Sequence, residues 1–256
     1  MLTSQLKLET SGGVLTATLT RPEKKNAFTR EMYAALAAAV VSADQDPMVR
    51  VLLVQGEGDS FTAGNDLSEF AAASADPSTA GVAADPLVKA LAEATTPIVA
   101  AVHGQAVGIG LTMLLHCDLV YVAEDARIST PFAKLGICPG AASSMLLPAR
   151  IGHARAFALF TLGDPIDGRT AAEWGLANAA LPEAEVKPRA RAAAEALASR
   201  PPGAVAATKR LLRDTAAYAR QIEMESAEFM ARLRSPEAKE AFAAFFERRA
   251  PDFSRF

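Results

Sequence analysis

Cysteine is nearly missing from this sequence, with Cys117 and Cys138 the two present among 256 residues. Two thiols cannot build a disulfide framework, and both lie among apolar neighbours, so the pattern predicts buried free cysteines in a reducing compartment. An excess of positive charge is absent as well. With a net charge of -3 the chain offers no general basic surface for nucleic acid, and an anionic ligand would have to meet locally placed Lys and Arg. No GxxxxGK, GxSxG or HExxH occurs, which removes the phosphate-loop, nucleophile-elbow and zinc-protease readings. The N-terminus, MLTSQLKLET, lacks the basic stretch and apolar core of a signal peptide, so the cytoplasm is the expected location. The apolar run that comes nearest to membrane length, Pro97 to Leu115, carries a proline, a histidine, a glutamine and three glycines. It reads better as strand, turn and helix than as a membrane span.

What is present is an ordinary globular composition, half apolar and 21% charged, in a chain long enough to bury a sizeable core. The stretch Pro97 to Cys117 organises it. A β-rich run from Ile98 to Val102 meets Gly104, Gly108 and Gly110, then an apolar segment of helical length. Upstream, the strand Val51 to Gln55 leads into a second glycine corner, FTAGNDL, residues 61–67. Amides at the start of a helix lack intrahelical acceptors, and glycine lets a ligand come close to them. Two such corners could hold one carbonyl oxygen that gains negative charge during a reaction.

In chain order, Leu6 to Glu9 and Val14 to Thr20 read as a hairpin about Ser11, Gly12 and Gly13. Thr29 caps a helix in which Met32, Leu36 and Val40 recur at four-residue spacing. A helix starts near Asp66, residues 71–84 are small and polar and suggest a mobile flap, and Asp85 with Pro86 opens a helix to about Thr95. Strands are expected at 119–123, 126–129 and 177–181, helices at 143–151 and 153–162, and a turn from Gly136 to Gly140. From Glu185 onward the periodicity is helical alone, broken at Pro201-Pro202 and Ser235-Pro236, giving about three helices. Strands alternating with helices and then helices alone imply an α/β core, residues 1–190, followed by an all-helical region, residues 191–256.

FTAGNDL, the run AAVHGQAVGIGLTMLLHCDLVYVAEDARISTPFAKLG and the tail RSPEAKEAFAAFFERRAPDF together resemble the crotonase (enoyl-CoA hydratase/isomerase) family, and the resemblance covers essentially the whole chain. It implies a spiral of β-β-α turns with a C-terminal helical region used in trimerisation, as a homotrimer or a dimer of trimers. It also implies an acyl-CoA thioester whose carbonyl lies between two backbone amides, carried over here as Ala63 and Ile109. Coenzyme A comes as part of the substrate, with no metal or separate cofactor, no nucleic acid and no membrane partner. Lys25, Ala27, Gly64, Asn65, Asp66, Leu67, Gly108, Gly110, Thr112, Phe132 and Gly140 are the expected substrate-binding positions. Lys24 or Lys25, with Lys239, Arg248 and Arg249, are expected near the CoA phosphates.

The resemblance is to the isomerase-like branch, yet its acids are missing. The two glutamates of the hydratases correspond to Thr112 and Phe132, and the glutamate that many isomerases carry after a proline corresponds to Gly140. None of these can move a proton near neutral pH. Asp66 and Glu69 could substitute, although Asp66 reads as a helix cap, His103 as a histidine tied to backbone, Asp118 as a turn anchor, and Glu223, Glu225 and Glu228 as solvated or interface groups. Three readings therefore stay open: a hydratase or isomerase with an unusual acid or base, a decarboxylase of a malonyl-type thioester that relies on the two amides, and an acyl-CoA-binding protein with weak catalysis.

Overall fold

The computed structural model describes residues 4–69 and 85–256, with the side chain of residue 85 excepted; the flap expected at 71–84 lies outside the described residues. The hairpin is formed by β1 (Leu6–Ser11) and β2 (Val14–Leu19), which pair antiparallel from Leu6↔Leu19 to Ser11↔Val14 around Gly12 and Gly13. Both glycines have positive φ, the conformation a two-residue hairpin turn demands. β3 (Val51–Gly56), β4 (Ile98–Val102), β6 (Leu119–Ala123) and β8 (Ala179–Leu181) extend the sheet in parallel, in the order β1-β2-β3-β4-β6-β8. β4, IVAAV, is buried along its whole length, as a central parallel strand covered on both faces must be. β5 (Gln105–Val107) and β7 (Arg127–Ser129) form a separate parallel pair.

The helices cover this sheet. α1 (Arg30–Gln45) is capped by Thr29, whose hydroxyl accepts from the Met32 amide at 3.2 Å, and it buries Met32, Leu36 and Val40. Such a cap contributes about 1 kcal/mol. α2 (Asp85–Glu93) is followed by β4, and α3 (Ile109–Thr112) by a 3-10 segment, Met113–His116. α4 (Ser143–Ile151), α5 (His153–Thr161) and α6 (Gly168–Glu173) precede β8. α7 (Glu183–Ala198) packs over β3, β4 and β6, and its contact face of Val186, Ala190 and Ala194 is fully buried. Small residues there let helix and sheet approach closely. The tail holds α8 (Pro202–Leu211), α9 (Thr215–Leu233) and α10 (Pro236–Glu247).

Three details differ from the sequence reading. The boundary placed at residue 190 falls inside α7, a continuous helix that belongs to the sheet's cover. The tail has an extra break, because Asp214 caps a new helix by accepting from the Ala217 amide at 2.9 Å. The apolar segment after Val102 does not pass straight into one helix: β5 intervenes, and then a single α-turn tightens into 3-10 geometry. So short a helix has little macrodipole, and any attraction of this corner for negative charge comes from its individual amides.

Candidate active site

The site is built where two strand-to-helix corners lie side by side. Thr62 and Ala106 form a parallel bridge, with the Thr62 amide donating to the Gln105 carbonyl (2.8 Å) and the Val107 amide to the Thr62 carbonyl (3.1 Å). Glycine permits this proximity. A Cβ on Gly64, whose φ is +90°, would lie 2.8 Å from the Val107 carbonyl oxygen, and one on Gly110 would lie 2.7 Å from the Thr62 methyl carbon. The loop at residues 21–27 closes the corner from outside. Asn26, fully buried, accepts from the Arg21 amide (2.8 Å) and donates to the Glu57 (2.8 Å) and Ser60 (2.7 Å) carbonyls. Arg21 reaches over to pair with Asp66 at 2.9 Å and also donates to the Ala27 carbonyl.

The amide hydrogen bonds correct one expected position. The Ala63 amide donates to the Lys25 carbonyl at 2.8 Å, so it is not available to a ligand. Its neighbours are committed too: the Gly64 amide to the Thr62 hydroxyl (3.1 Å) and the Asp66 amide to the Phe28 carbonyl (3.0 Å). Within residues 62–66 the Asn65 amide is the one left without an acceptor among the described residues. Its direction follows from the ladder. Phe28 bridges Asn65 by bonding to Gly64 and Asp66 on either side of it, which turns the Asn65 N–H to the opposite side. On the second corner the Gly108 amide donates to the Ser129 carbonyl (2.9 Å) and the Leu111 amide to the Gly108 carbonyl (3.0 Å). The amides of Ile109 and Gly110 have no acceptor among the described residues. The Asn65 side chain is fixed from below by α1, since the Tyr33 hydroxyl donates to Asn65 Oδ1. Burial holds the Tyr33 phenol far above its ordinary pKa, so it stays a donor.

Thr112, Phe132 and Gly140, the positions where the resemblance implies acids, lie in different surroundings. Thr112 is buried, one helical turn before His116. Phe132 lies against Gly108, its ring 3.8 Å from where a Cβ would stand, and packs on Phe160 with 6.0 Å between ring centroids. Gly140 differs from both: a Cβ there would meet nothing within 4 Å. Just beyond it Ala141 and Ala142 both have left-handed backbones, φ 65° and 56°. His116 donates from Nε2 to the Ala141 carbonyl at 2.8 Å; burial foremost, with the Arg213 charge adding, lowers its pKa to about 4 and keeps it neutral.

The other titratable candidates have structural partners. Asp66 holds the Ser68 amide (3.0 Å), and its carboxyl stays below the usual range as hydrogen bonds from Ser68 and Arg21 outweigh partial burial. Glu69 accepts from the Arg30 amide at 2.9 Å, which ties the Leu67 turn to the start of α1. His103 bonds the Gly58 carbonyl through Nε2 at 2.9 Å. Asp118 anchors the Ile98 amide and Lys209, each at 2.8 Å. Glu225 departs from the expected solvated role, being buried and bonded to the turn after Gly140. Of the cations expected near phosphates, Lys24, Lys25, Lys239 and Arg248 are exposed, whereas Arg249 is held by Glu240 (3.0 Å) and Glu247. Cys117 is buried and Cys138 half-buried, both free, and burial pushes both thiols up, to about 12 and about 11. Among the described residues no helix is long and apolar enough to cross a membrane.

Comparison with known proteins gives the same outline. A family model described as enoyl-CoA hydratase/isomerase matches residues 9–255. The 1,2-epoxyphenylacetyl-CoA isomerase of Escherichia coli K12 is 34% identical over 254 residues, spanning 94% of this chain and 95% of that one. An enoyl-CoA hydratase/isomerase structure from Pseudoalteromonas atlantica superposes with a TM-score of 0.91 at 40% identity, covering 98% of this chain and 100% of its own. The Pseudomonas aeruginosa OdaA structure gives 0.90 at 44% identity, covering 95% and 99%. A mixed α/β core with a helical tail, two glycine corners pinned against each other and a family match over nearly the whole length place this chain in the enoyl-CoA hydratase/isomerase family, the crotonase superfamily.

Proposed function

We propose that this enzyme binds an acyl-CoA thioester with the thioester oxygen between the amides of Asn65 and Ile109, and that these donors stabilise the enolate formed at the α-carbon. The observation that carries the reading is that the Asn65 amide on one corner and the Ile109 and Gly110 amides on the other have no acceptor among the described residues, on corners held together by the Thr62–Ala106 bridge. Amide donors left without acceptors are rare, and two of them on adjoining corners are suited to an oxygen that gains charge. One donor of this kind contributes about 2.7–4 kcal/mol to the barrier reduction. Gly64, Asp66, Leu67, Gly108, Gly110, Thr112, Phe132 and Gly140 would surround the acyl thioester, and Lys24, Lys25 and Ala27 the CoA moiety. The exposed Phe245, Phe246 and Phe256 of the tail support self-association as a trimer or dimer of trimers. A place in cytoplasmic fatty-acid or other acyl-CoA metabolism goes with this reading.

A second reading has its own support. Where a familiar proton carrier would stand there is Thr112, Phe132 or Gly140. Loss of carbon dioxide from a malonyl-type thioester creates the α-carbanion without a base, so two amide donors alone could serve a decarboxylase. Assays of crotonyl-CoA hydration, 3-enoyl-CoA isomerisation and methylmalonyl-CoA decarboxylation distinguish these chemistries. Intact acyl-CoA binding with no turnover of any of the three leaves a binding protein, and failure to bind acyl-CoA refutes the whole reading.

A further inference from the structure

The turn at residues 140–144 is held in a conformation it would not adopt unaided. Ala141 and Ala142 are consecutive left-handed alanines, a backbone state disfavoured for an L-residue by the approach of Cβ to the following carbonyl oxygen. Ala142 is also the residue that precedes α4, and its methyl group cannot cap that helix. The cap comes from elsewhere in the chain. Glu225, in α9, accepts from the Ala142 amide at 2.6 Å through Oε2, and through Oε1 from the Ser144 amide at 2.9 Å and from the Ser144 hydroxyl. Gln221, one turn earlier on α9, donates to that same hydroxyl at 2.8 Å. From the other side His116, one turn beyond Thr112, grips the Ala141 carbonyl. Glu225 is 6% exposed, and its burial raises its carboxyl pKa despite three donors.

We propose that Glu225 is a positioning residue of the acyl site: through the Ala142 and Ser144 amides it sets the wall formed by Gly140 and Ala141 against the Thr112–His116 turn. The proposal rests on the acyl-CoA reading above and adds that a carboxylate of the helical tail shapes the pocket. Glutamine is a sharp probe of it. A carboxamide oxygen can still serve Ser144, but its NH2 then faces the Ala142 amide, donor against donor, and the turn has to move.

The test compares coenzyme A with octanoyl-CoA by calorimetric titration of the full-length protein, alongside thermal unfolding. Wild type is expected to bind octanoyl-CoA more tightly than CoA. In Glu225→Gln the CoA affinity should stay within twofold while the octanoyl-CoA affinity falls about tenfold or more. Ser144→Ala, which keeps both amide bonds, should show a smaller loss of the same kind, and it decides the matter if the first variant does not fold. Unchanged affinity for both ligands in the variants overturns the proposal, as does an equal loss for both that tracks the fall in melting temperature. Wild type that fails to bind octanoyl-CoA overturns the acyl-CoA reading itself, and this proposal with it.

Discussion

Gly140→Glu should convert this site into an isomerase, and the structure says why the substitution is tolerated. A Cβ at Gly140 meets no atom within 4 Å, and Gly140 is not among the positive-φ positions. Neither a clash nor backbone strain opposes a side chain, so the expected stability change is within about 0.5 kcal/mol, as for an exposed position. The gain is on a larger scale. A carboxylate at the place where relatives of the isomerase-like branch carry theirs would shuttle a proton between the α- and γ-carbons, and a positioned acid or base contributes about 10²–10⁴ in rate. That range corresponds to roughly 2.7–5.5 kcal/mol of barrier. The assay follows the ultraviolet absorbance of the conjugated thioester as 3-hexenoyl-CoA becomes 2-hexenoyl-CoA, with octanoyl-CoA affinity measured in parallel. An increase of at least a hundredfold over wild type is expected. A folded variant that binds octanoyl-CoA as wild type does and isomerises no faster would refute the placement of the thioester against this wall.

Gly64→Ala should separate the two corners, because its Cβ would stand 2.8 Å from the Val107 carbonyl at a φ of +90°; octanoyl-CoA affinity should fall at least tenfold, and an unchanged dissociation constant would count against the site. His116 predicts an acid limb of stability. With its pKa at about 4 in the fold and 6.5 unfolded, the unfolded chain takes up a proton that the fold refuses. Its contribution is therefore complete above pH 6.5 and lost as pH falls towards 4, by up to about 3 kcal/mol. Urea unfolding at pH 5 and 7 should show a smaller difference in His116→Gln, and an identical difference would reject the assignment; the raised carboxyl of Glu225 works in the opposite sense and reduces the net effect. Asn26→Ala removes three hydrogen bonds of a buried side chain and should cost about 3 kcal/mol. For a chain of this size that is a fall of about 6–12 °C in Tm, and a fall under 3 °C would show that the loop repairs itself.

Much of the molecule was legible in its sequence. The Thr29 cap, the hairpin at Gly12 and Gly13 and the helix from Ser143 to Ile151 are local events, set by a side-chain oxygen, by backbone freedom and by periodicity. What escaped is long-range. Ala63 and Asn65 lie in one pentapeptide, and which of their amides is free depends on Lys25 and Phe28, whose position against the corner is set by a buried Asn26. Glu225 reads as a surface glutamate on an amphipathic helix until α9 is laid against a turn 81 residues earlier. That residue 190 lies inside a helix was hidden for a related reason, since an alanine-rich helix looks the same whether it caps a sheet or leaves it.

The two left-handed alanines carry a consequence for how a ligand is received. Glycine would sit at either position without strain, but it would also leave the segment free to relax when its tethers let go. Alanine, pinned by a histidine on one flank and a carboxylate on the other, has few alternative conformations to visit. On the proposed reading an incoming acyl chain would meet a rigid face at that point, and selection among chains should appear as fit or exclusion, in dissociation rates more than in any slow rearrangement of this turn.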